Sequence, residues 1–414
     1  MKMSNDTLIL GGIPVENIMR EYGSPLYVYE ESVLRSQLRE LSIGFPKDLV
    51  EIHYSMKANS NPSLLRIISE EGASIDAVSE FEVRLAIESG FDPQQIIFTG
   101  NNNSFKEIEY CIGQKVSINL GSLYLLEEYG QRFPNTIVSI RLNPGIGAGH
   151  HAHCITGGPN SKFGIYYDQI KKALKIAKKF KLKINGIHSH IGTGIFSAEP
   201  MLEAMEMILN VAEEFPDLEF VDFGGGFGIP YNPMQLPLDI KDLSKKMTER
   251  FKKFIKHYNH HLQMKIEPGR LLVGPSGILL STITNITDTP KYRFVGVDTG
   301  FNHLIRPTMY GSHHKIINAS SNLSIKKDVV IVGNICESGD ILSRSGENII
   351  RSLPSPKVGE RIAFLDVGAY GYSMSSQYNL RPRPAEVLVN DGHSRLIRRA
   401  ECFDDLIKCT RDIS

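Results

Sequence analysis

The sequence carries no excess charge of either sign: 46 Lys and Arg balance 46 Asp and Glu over 414 residues. A protein that binds nucleic acid through bulk charge needs a basic surplus or patch, so that class is disfavoured. Long apolar runs are also missing. None approaches the roughly 18 residues of a membrane span. The N-terminal stretch MKMSNDTLILGGIPVENIMREYG is broken early by Gly-Gly and Pro, and lacks the apolar core and cleavage site of a signal peptide. Cysteine is scarce, with five scattered residues and no CxxC pair. That excludes a disulfide framework and fits reduced thiols in the cytoplasm. Low-complexity segments and short exact repeats are absent too. What remains is 41% apolar and 22% charged residues, ordinary for a globular chain with room for two or three domains at roughly 150 residues each.

A longer rhythm is present. Short β-branched or apolar runs recur, each followed by a helical stretch: IHYSM (52–56), ASIDAV (73–78), QIIFTG (95–100), VSINL (116–120), IVSIRLN (137–143), INGIHSHIG (184–192), FVDFGG (220–225) and MKIEPG (264–269). Intervening segments such as 79–90 and 169–181 show 3.6-residue apolar periodicity. Eight such units predict a TIM barrel over residues 31–282, with catalytic groups where strands end and loops begin. An open doubly wound sheet uses the same local pattern, but eight units overfill a typical one. Beyond about residue 280 the strand-like runs come without helices: 293–300, 327–335, 361–370, 385–390 and 394–402. They predict a second, mostly antiparallel β domain over 283–414, which residues 1–30 join.

Several residues at predicted strand ends are of types that carry chemistry. Lys57 follows IHYSM. A lone lysine is usually a solvated charge, but one at the end of a buried strand either shifts its pKa or forms a Schiff base. Free lysine is only about 0.04% neutral at pH 7. Gly224, Gly225 and Gly226 follow the seventh strand, where barrels often bind phosphate, although tight turns explain most glycine runs. Glu267, Gly269 and Arg270 end the eighth strand in KIEPGR. A structural ion pair is the plain reading. A carboxylate there would also keep a heterocyclic nitrogen protonated, and an arginine would grip a carboxylate or phosphate. His188 and His190 lie two apart on one strand face, with no carboxylate at metal-ligand spacing, so core or stacking roles are favoured over a metal pair. GHHAHC (149–154) looks more metal-like but has no matching second half. Cys336 and Glu337 sit together in ICESGDIL, where proton transfer competes with a plain buried thiol. Tyr370 lies in a Gly-, Tyr- and Arg-rich loop suited to binding.

In order and spacing, YSMKAN, HSHIGTG, GGGFGIPY, EPGR, DTGFNHLIRPTMY, CESGD and GAYGYSMSSQYNLRPRPAEVLV resemble the pyridoxal 5'-phosphate (PLP) decarboxylases of the alanine-racemase-like fold, and among them the diaminopimelate decarboxylases. The likeness runs from about residue 8 to residue 408 and also accounts for GHHAHC as a loop before SKFG. It implies decarboxylation of meso-2,6-diaminopimelate to L-lysine, with PLP as cofactor and no metal. Lys57 would hold the cofactor covalently. Gly224, Gly225, Gly226, Gly269 and Arg270 would enclose its phosphate, Glu267 would pair with its ring nitrogen, and His190 would stack on the ring. Arg270, Arg306, Tyr310, Glu337 and Tyr370 would hold the substrate, with Tyr370 near the cofactor as well. Cys336 would donate the proton. The resemblance further implies a homodimer in which Cys336 and Glu337 complete the partner's site. One departure is Thr193-Gly194, where many members have Ser, often followed by Gln; it leaves the substrate range open. Sister activities on D-lysine or D-ornithine would share the cofactor residues. A racemase would need paired bases and not CESGD, and a catalytically dead regulatory binder would be expected to lose residues such as Lys57.

Overall fold

The computed structural model describes residues 1–4, 7–149, 155–258, 260–321 and 325–411. The histidines and cysteine at 150–154 lie outside them. Two compact units form: residues 37–229 with 236–271, and residues 1–36 with 230–235 and 272–414.

All eight expected strands appear in the first unit, as Val50–Ser55, Ser74–Ala77, Ile96–Phe98, Ser117–Leu120, Ile137–Asn143, Lys183–His188, Phe220–Asp222 and Gln263–Ile266. Each pairs in parallel with the next, and the eighth pairs with the first, so the sheet closes into a barrel. The open-sheet alternative is thereby removed. Local chemistry starts the helices between strands. Asn61, Ser79 and Ser122 each accept a backbone N–H of the first turn. Ser104 and Glu107 cap one helix reciprocally. The helix Glu199–Ala212 buries Met201, Leu202, Met205, Ile208 and Leu209 along one stripe.

The barrel interior departs from the branched apolar filling common in such barrels. Lys265 bonds Glu51 at 3.2 Å, and Glu51 also meets His53 at 3.2 Å. These contacts draw the Glu51 carboxyl down to about 2. The Lys265 ammonium also lies 4.4 Å from the centre of the Phe220 ring. Gly186 leaves that ring its space, since a Cβ there would come within 2.1 Å of it.

The second unit is mostly antiparallel. Its central strand, Gly277–Asp288, is twelve residues long and pairs antiparallel with Leu26–Glu30, Arg293–Val297 and Arg361–Phe364. The expected junction at 282/283 falls inside this strand, which runs unbroken from a buried first half into a more exposed second half. Residues 26–30 join this sheet and pair in parallel with Ala385–Asn390, while Lys2–Ser4, Thr7–Leu10 and Ile13–Pro14 form a small three-stranded sheet. The core gathers Leu8, Leu10, Ile18, Leu26, Val28, Ile278, Leu280, Ala363, Val387 and Val389. Among the described residues, no helix is long and apolar enough to cross a membrane.

Candidate active site

Strand ends of the barrel gather the first group of candidates. The first strand stops at Ser55, and a 3₁₀ turn over Met56–Ala58 buries Met56 and Ala58 on either side of Lys57. The Lys57 ammonium sits 3.1 Å from Asp76 Oδ2, with 37% of the lysine side chain exposed and none of the aspartate's. Asp76 also accepts hydrogen bonds from Ser55 Oγ at 2.9 Å and from the Thr99 hydroxyl. Both carboxylate oxygens are thus engaged, and the carboxylate holds the lysine head at the mouth of the barrel. Sequence reasoning passed over Asp76, although an acid inside the apolar run ASIDAV was a signal. It also passed over Arg141, which is buried in the fifth strand with its guanidinium 4.5 Å from the Phe163 ring centre.

The glycine loop is pressed against neighbouring backbone. Gly224 and Gly226 adopt φ of +68° and +98°. A Cβ would come within 2.4 Å of the Ser189 carbonyl at Gly224, 2.0 Å of the Glu267 carbonyl at Gly225, and 2.4 Å of the Gly192 carbonyl at Gly226. The Gly224 N–H donates to Asp222 Oδ1 at 2.8 Å, and the Gly225 N–H to His190 Nδ1 at 3.1 Å. Accepting that bond requires a lone pair on His190 Nδ1. Burial and the Lys57 charge hold the ring well below the usual imidazole range, which keeps it neutral. A Cβ at Gly269 would come within 3.0 Å of the Ser55 Cβ and 3.1 Å of the Ala58 Cβ, and Arg270 Nη2 donates to Thr193 Oγ1 at 3.4 Å.

Glu267 ends the eighth strand and is buried. His188 Nε2 lies 3.1 Å from its Oε2, while its Oε1 is buried with no hydrogen-bond partner among the described residues. Burial raises the Glu267 carboxyl, against the pull of Lys57, Arg141, His53 and Lys265. Burial and the Arg141 charge push His188 well down, so a neutral ring donates its Nε2–H. No carboxylate stands at metal-ligand spacing from the histidine pair along the sequence, but the fold brings two beside His188. His188, Asp222 and Glu267 each bring a donor atom within 4.8 Å of the others. Strands six, seven and eight are adjacent in the barrel, a closeness that linear spacing does not display.

These features fit PLP. The unpartnered Glu267 oxygen suits a ring N–H, the side-chain-free loop suits a phosphate, and the half-exposed lysine suits an aldehyde.

The other candidates belong to the β unit. Arg306 opens the short helix Arg306–Tyr310 and is 1% exposed. His314 Nδ1 lies 2.8 Å from the Leu365 carbonyl and donates to it, leaving Nε2 to accept from Arg306 Nη1 at 2.8 Å. The guanidinium lies 4.3 Å from the Tyr231 ring centre. Tyr310 is half-buried. Cys336 and Glu337 are exposed in a turn fixed by Asp340, whose two oxygens accept from the Phe301 and Ile335 N–H groups. The Cys336 N–H donates to Asn379 Oδ1 at 2.8 Å. Tyr370 is half-buried, with φ of +59°.

Comparison with known proteins accounts for both units. Residues 32–274 match the pyridoxal-binding domain of pyridoxal-dependent decarboxylases. A diaminopimelate decarboxylase of Methanothermobacter thermautotrophicus is 42% identical over 97% of this chain and 95% of its own length. The crystal structure of diaminopimelate decarboxylase from Helicobacter pylori complexed with L-lysine superposes with a TM-score of 0.88 at 30% identity, covering 96% of this chain and 99% of that one. A lysine/ornithine decarboxylase from Vibrio vulnificus, complexed with putrescine, shares the fold at a TM-score of 0.78 but only 20% identity, over 91% of this chain and 97% of that one. With the barrel-mouth lysine, the glycine loop and the buried glutamate in place, the chain belongs to the pyridoxal-dependent decarboxylases, in the diaminopimelate decarboxylase family.

Proposed function

We propose that this protein decarboxylates meso-2,6-diaminopimelate to L-lysine and carbon dioxide. The observation that carries this reading is the barrel-mouth set of Lys57, His190 and Glu267 in a chain matching relatives of that name over 97% of its length. PLP, when bound, supplies an electron sink for the charge left on the α-carbon as carbon dioxide departs.

The protein's own residues do the rest. Lys57, beside Asp76, would hold the cofactor through its amine. Glu267 Oε1 would accept its ring N–H, and the neutral His190 would pack on the ring. Gly224, Gly225 and Gly226, with Gly269 and Arg270, leave room for the phosphate. The Gly224 and Gly225 N–H groups are spent inside the protein, so those two residues contribute space rather than donors. Arg270, Arg306, Tyr310, Glu337 and Tyr370 grip the distal amino-acid end of the substrate. They would orient the substrate so that one carboxylate is presented for loss. Arg306 suits this task because His314, Ser312 and Tyr231 lock its fork before substrate arrives. Cys336 Sγ returns a proton to the α-carbon. We also propose that Cys336 and Glu337, exposed on one protomer, complete the site of a second copy. A working thiol at Cys336 would favour a reducing compartment such as the cytoplasm.

The test is direct. Purified protein with PLP is given meso-diaminopimelate, D-lysine or D-ornithine in parallel, and carbon dioxide and L-lysine are measured. L-lysine from diaminopimelate alone is the expected result. Carbon dioxide only from D-lysine or D-ornithine moves the protein to a sister activity. For the shared site, mixing inactive Lys57→Ala and Cys336→Ala protomers restores turnover; no recovery after verified subunit exchange rejects it.

A further inference from the structure

We propose that Asp222 is a positioning residue for Glu267, a buried carboxyl that keeps its proton so that the pair's single negative charge stays on Glu267. The inference rests on the reading of Glu267 as the partner of the cofactor's ring nitrogen.

Asp222 ends the seventh strand, and no part of it is exposed. Its carbonyl accepts the Ser189 N–H at 2.8 Å, and its Oδ1 accepts the Gly224 N–H at 2.8 Å. Its Oδ2 is buried with no hydrogen-bond partner among the described residues. On the adjacent strand, the Glu267 N–H donates to the Gly224 carbonyl at 2.8 Å, so the two strand ends are locked together. A carboxylate oxygen of each then lies within 4.8 Å of the other. Two anions at that distance, both buried, repel strongly.

The surrounding groups decide which acid keeps the proton. His188, on the sixth strand, has one N–H to give and gives it to Glu267 Oε2. Lys57, in the turn after the first strand, and Arg141 on the fifth both stabilise charge on Glu267. Asp222 has less help. Lys265 is its nearby cation, but that ammonium is already bonded to Glu51 at 3.2 Å. Asp76, on the second strand, adds a further repulsion to Asp222. Burial and the Glu267 charge accordingly push the Asp222 carboxyl well above the usual carboxylate range. Burying a neutral acid costs far less than burying an uncompensated anion. With the proton on Asp222, Glu267 keeps its charge and its unpartnered Oε1 for the ring N–H.

The holoenzyme is loaded with PLP carrying ¹⁵N in the ring, and the nitrogen's chemical shift is read in wild type, Asp222→Asn, Asp222→Ala and Glu267→Gln. Asparagine reproduces a neutral acid, keeping an acceptor for Gly224 and a donor on the other arm. The expected result is a protonated ring nitrogen in wild type and D222N, and its loss in E267Q. D222A loses the sharp signal and D222N restores it. A neutral ring nitrogen in D222N, with E267Q also neutral, overturns the proposal. A protonated ring nitrogen in E267Q overturns the reading of Glu267 instead. Infrared spectra of the wild type made with ¹³C-carboxyl aspartate need no variant. Asp340 and Asp366, raised to about 6, are ionised at about pH 8. A neutral-acid C=O band that shifts with the label there supports the proposal, and its absence rejects it.

Discussion

In the β unit, the central strand turns Ile278 and Leu280 into a cluster with Leu26, Val28, Ala363, Val387 and Val389. In the barrel, the corresponding interior holds Asp76, Arg141, His188, Asp222 and Glu267, all buried. The first interior stabilises by apolar area removed from water, about 25 cal/mol per Å², and asks only for shape and volume. The second carries a desolvation cost at every group, offset only where a partner stands in place. Asp76 meets that condition with Ser55, Lys57 and Thr99, and Glu267 Oε2 meets it with His188. The barrel interior therefore holds charge and proton positions for chemistry, and the β core holds the fold.

The comparison breaks hardest at Lys57. Lys57→Ala should abolish the absorbance of lysine-bound cofactor and lower turnover by at least about 10⁴-fold. Normal turnover by that variant sinks the assignment of the site. Glu267→Gln should lower kcat by about 10²–10³-fold while the melting curve stays close to wild type, since shape and volume are kept. A loss of folding without a loss of kcat per folded molecule would make Glu267 a structural residue.

On the other side of the comparison, Leu280→Ala should cost about 3 kcal/mol in denaturant unfolding, with turnover near wild type at low temperature. His303 tests the β unit by pH. Burial lowers it from 6.5 to about 4, with its ring held between Thr299 and the Pro382 carbonyl. A base with a depressed folded pKa stabilises above 6.5 and loses that contribution as pH falls toward 4. The advantage of wild type over His303→Gln should therefore shrink by about 2 kcal/mol across that window. Asp340, shifted upward in the same unit, is present in both proteins and cancels in the difference. An advantage that is flat with pH would show that His303 titrates normally. The smallest effect is expected at Arg306→Lys. The ammonium cannot reproduce a fork held by His314 and Ser312, so KM for diaminopimelate should rise about tenfold with kcat less affected. A change in kcat alone would place Arg306 away from substrate recognition.

Much of this was legible in the chain before folding. Strand–helix alternation shows in local periodicity, and all eight barrel strands lie where the apolar runs predicted them. The long strand Gly277–Asp288 was missed, because its fully buried first half carries no alternation to distinguish it from the helix before it. The short strands Ile316–Asn318 and Arg351–Pro354 were missed because so few residues carry no period. Lys57, Glu267 and the three glycines stood out through their motifs. Asp76 and Arg141 did not, since a single polar residue in an apolar strand is a signal without a partner until its neighbours are known.

Local chemistry by itself therefore determined the order of elements, the helix caps and the residue types waiting at the strand ends. Periodicity and capping act over a few residues, so the sequence displays them directly. Only the closed barrel decided which of those residues meet. Positions 57 and 76 share a proton donor and acceptor, and 188, 222 and 267 share one pocket of buried charge, because parallel strands bring their ends together whatever the length of chain between them. The protonation of that pocket is set by burial and by the nearest cation. Neither quantity exists until the chain has folded.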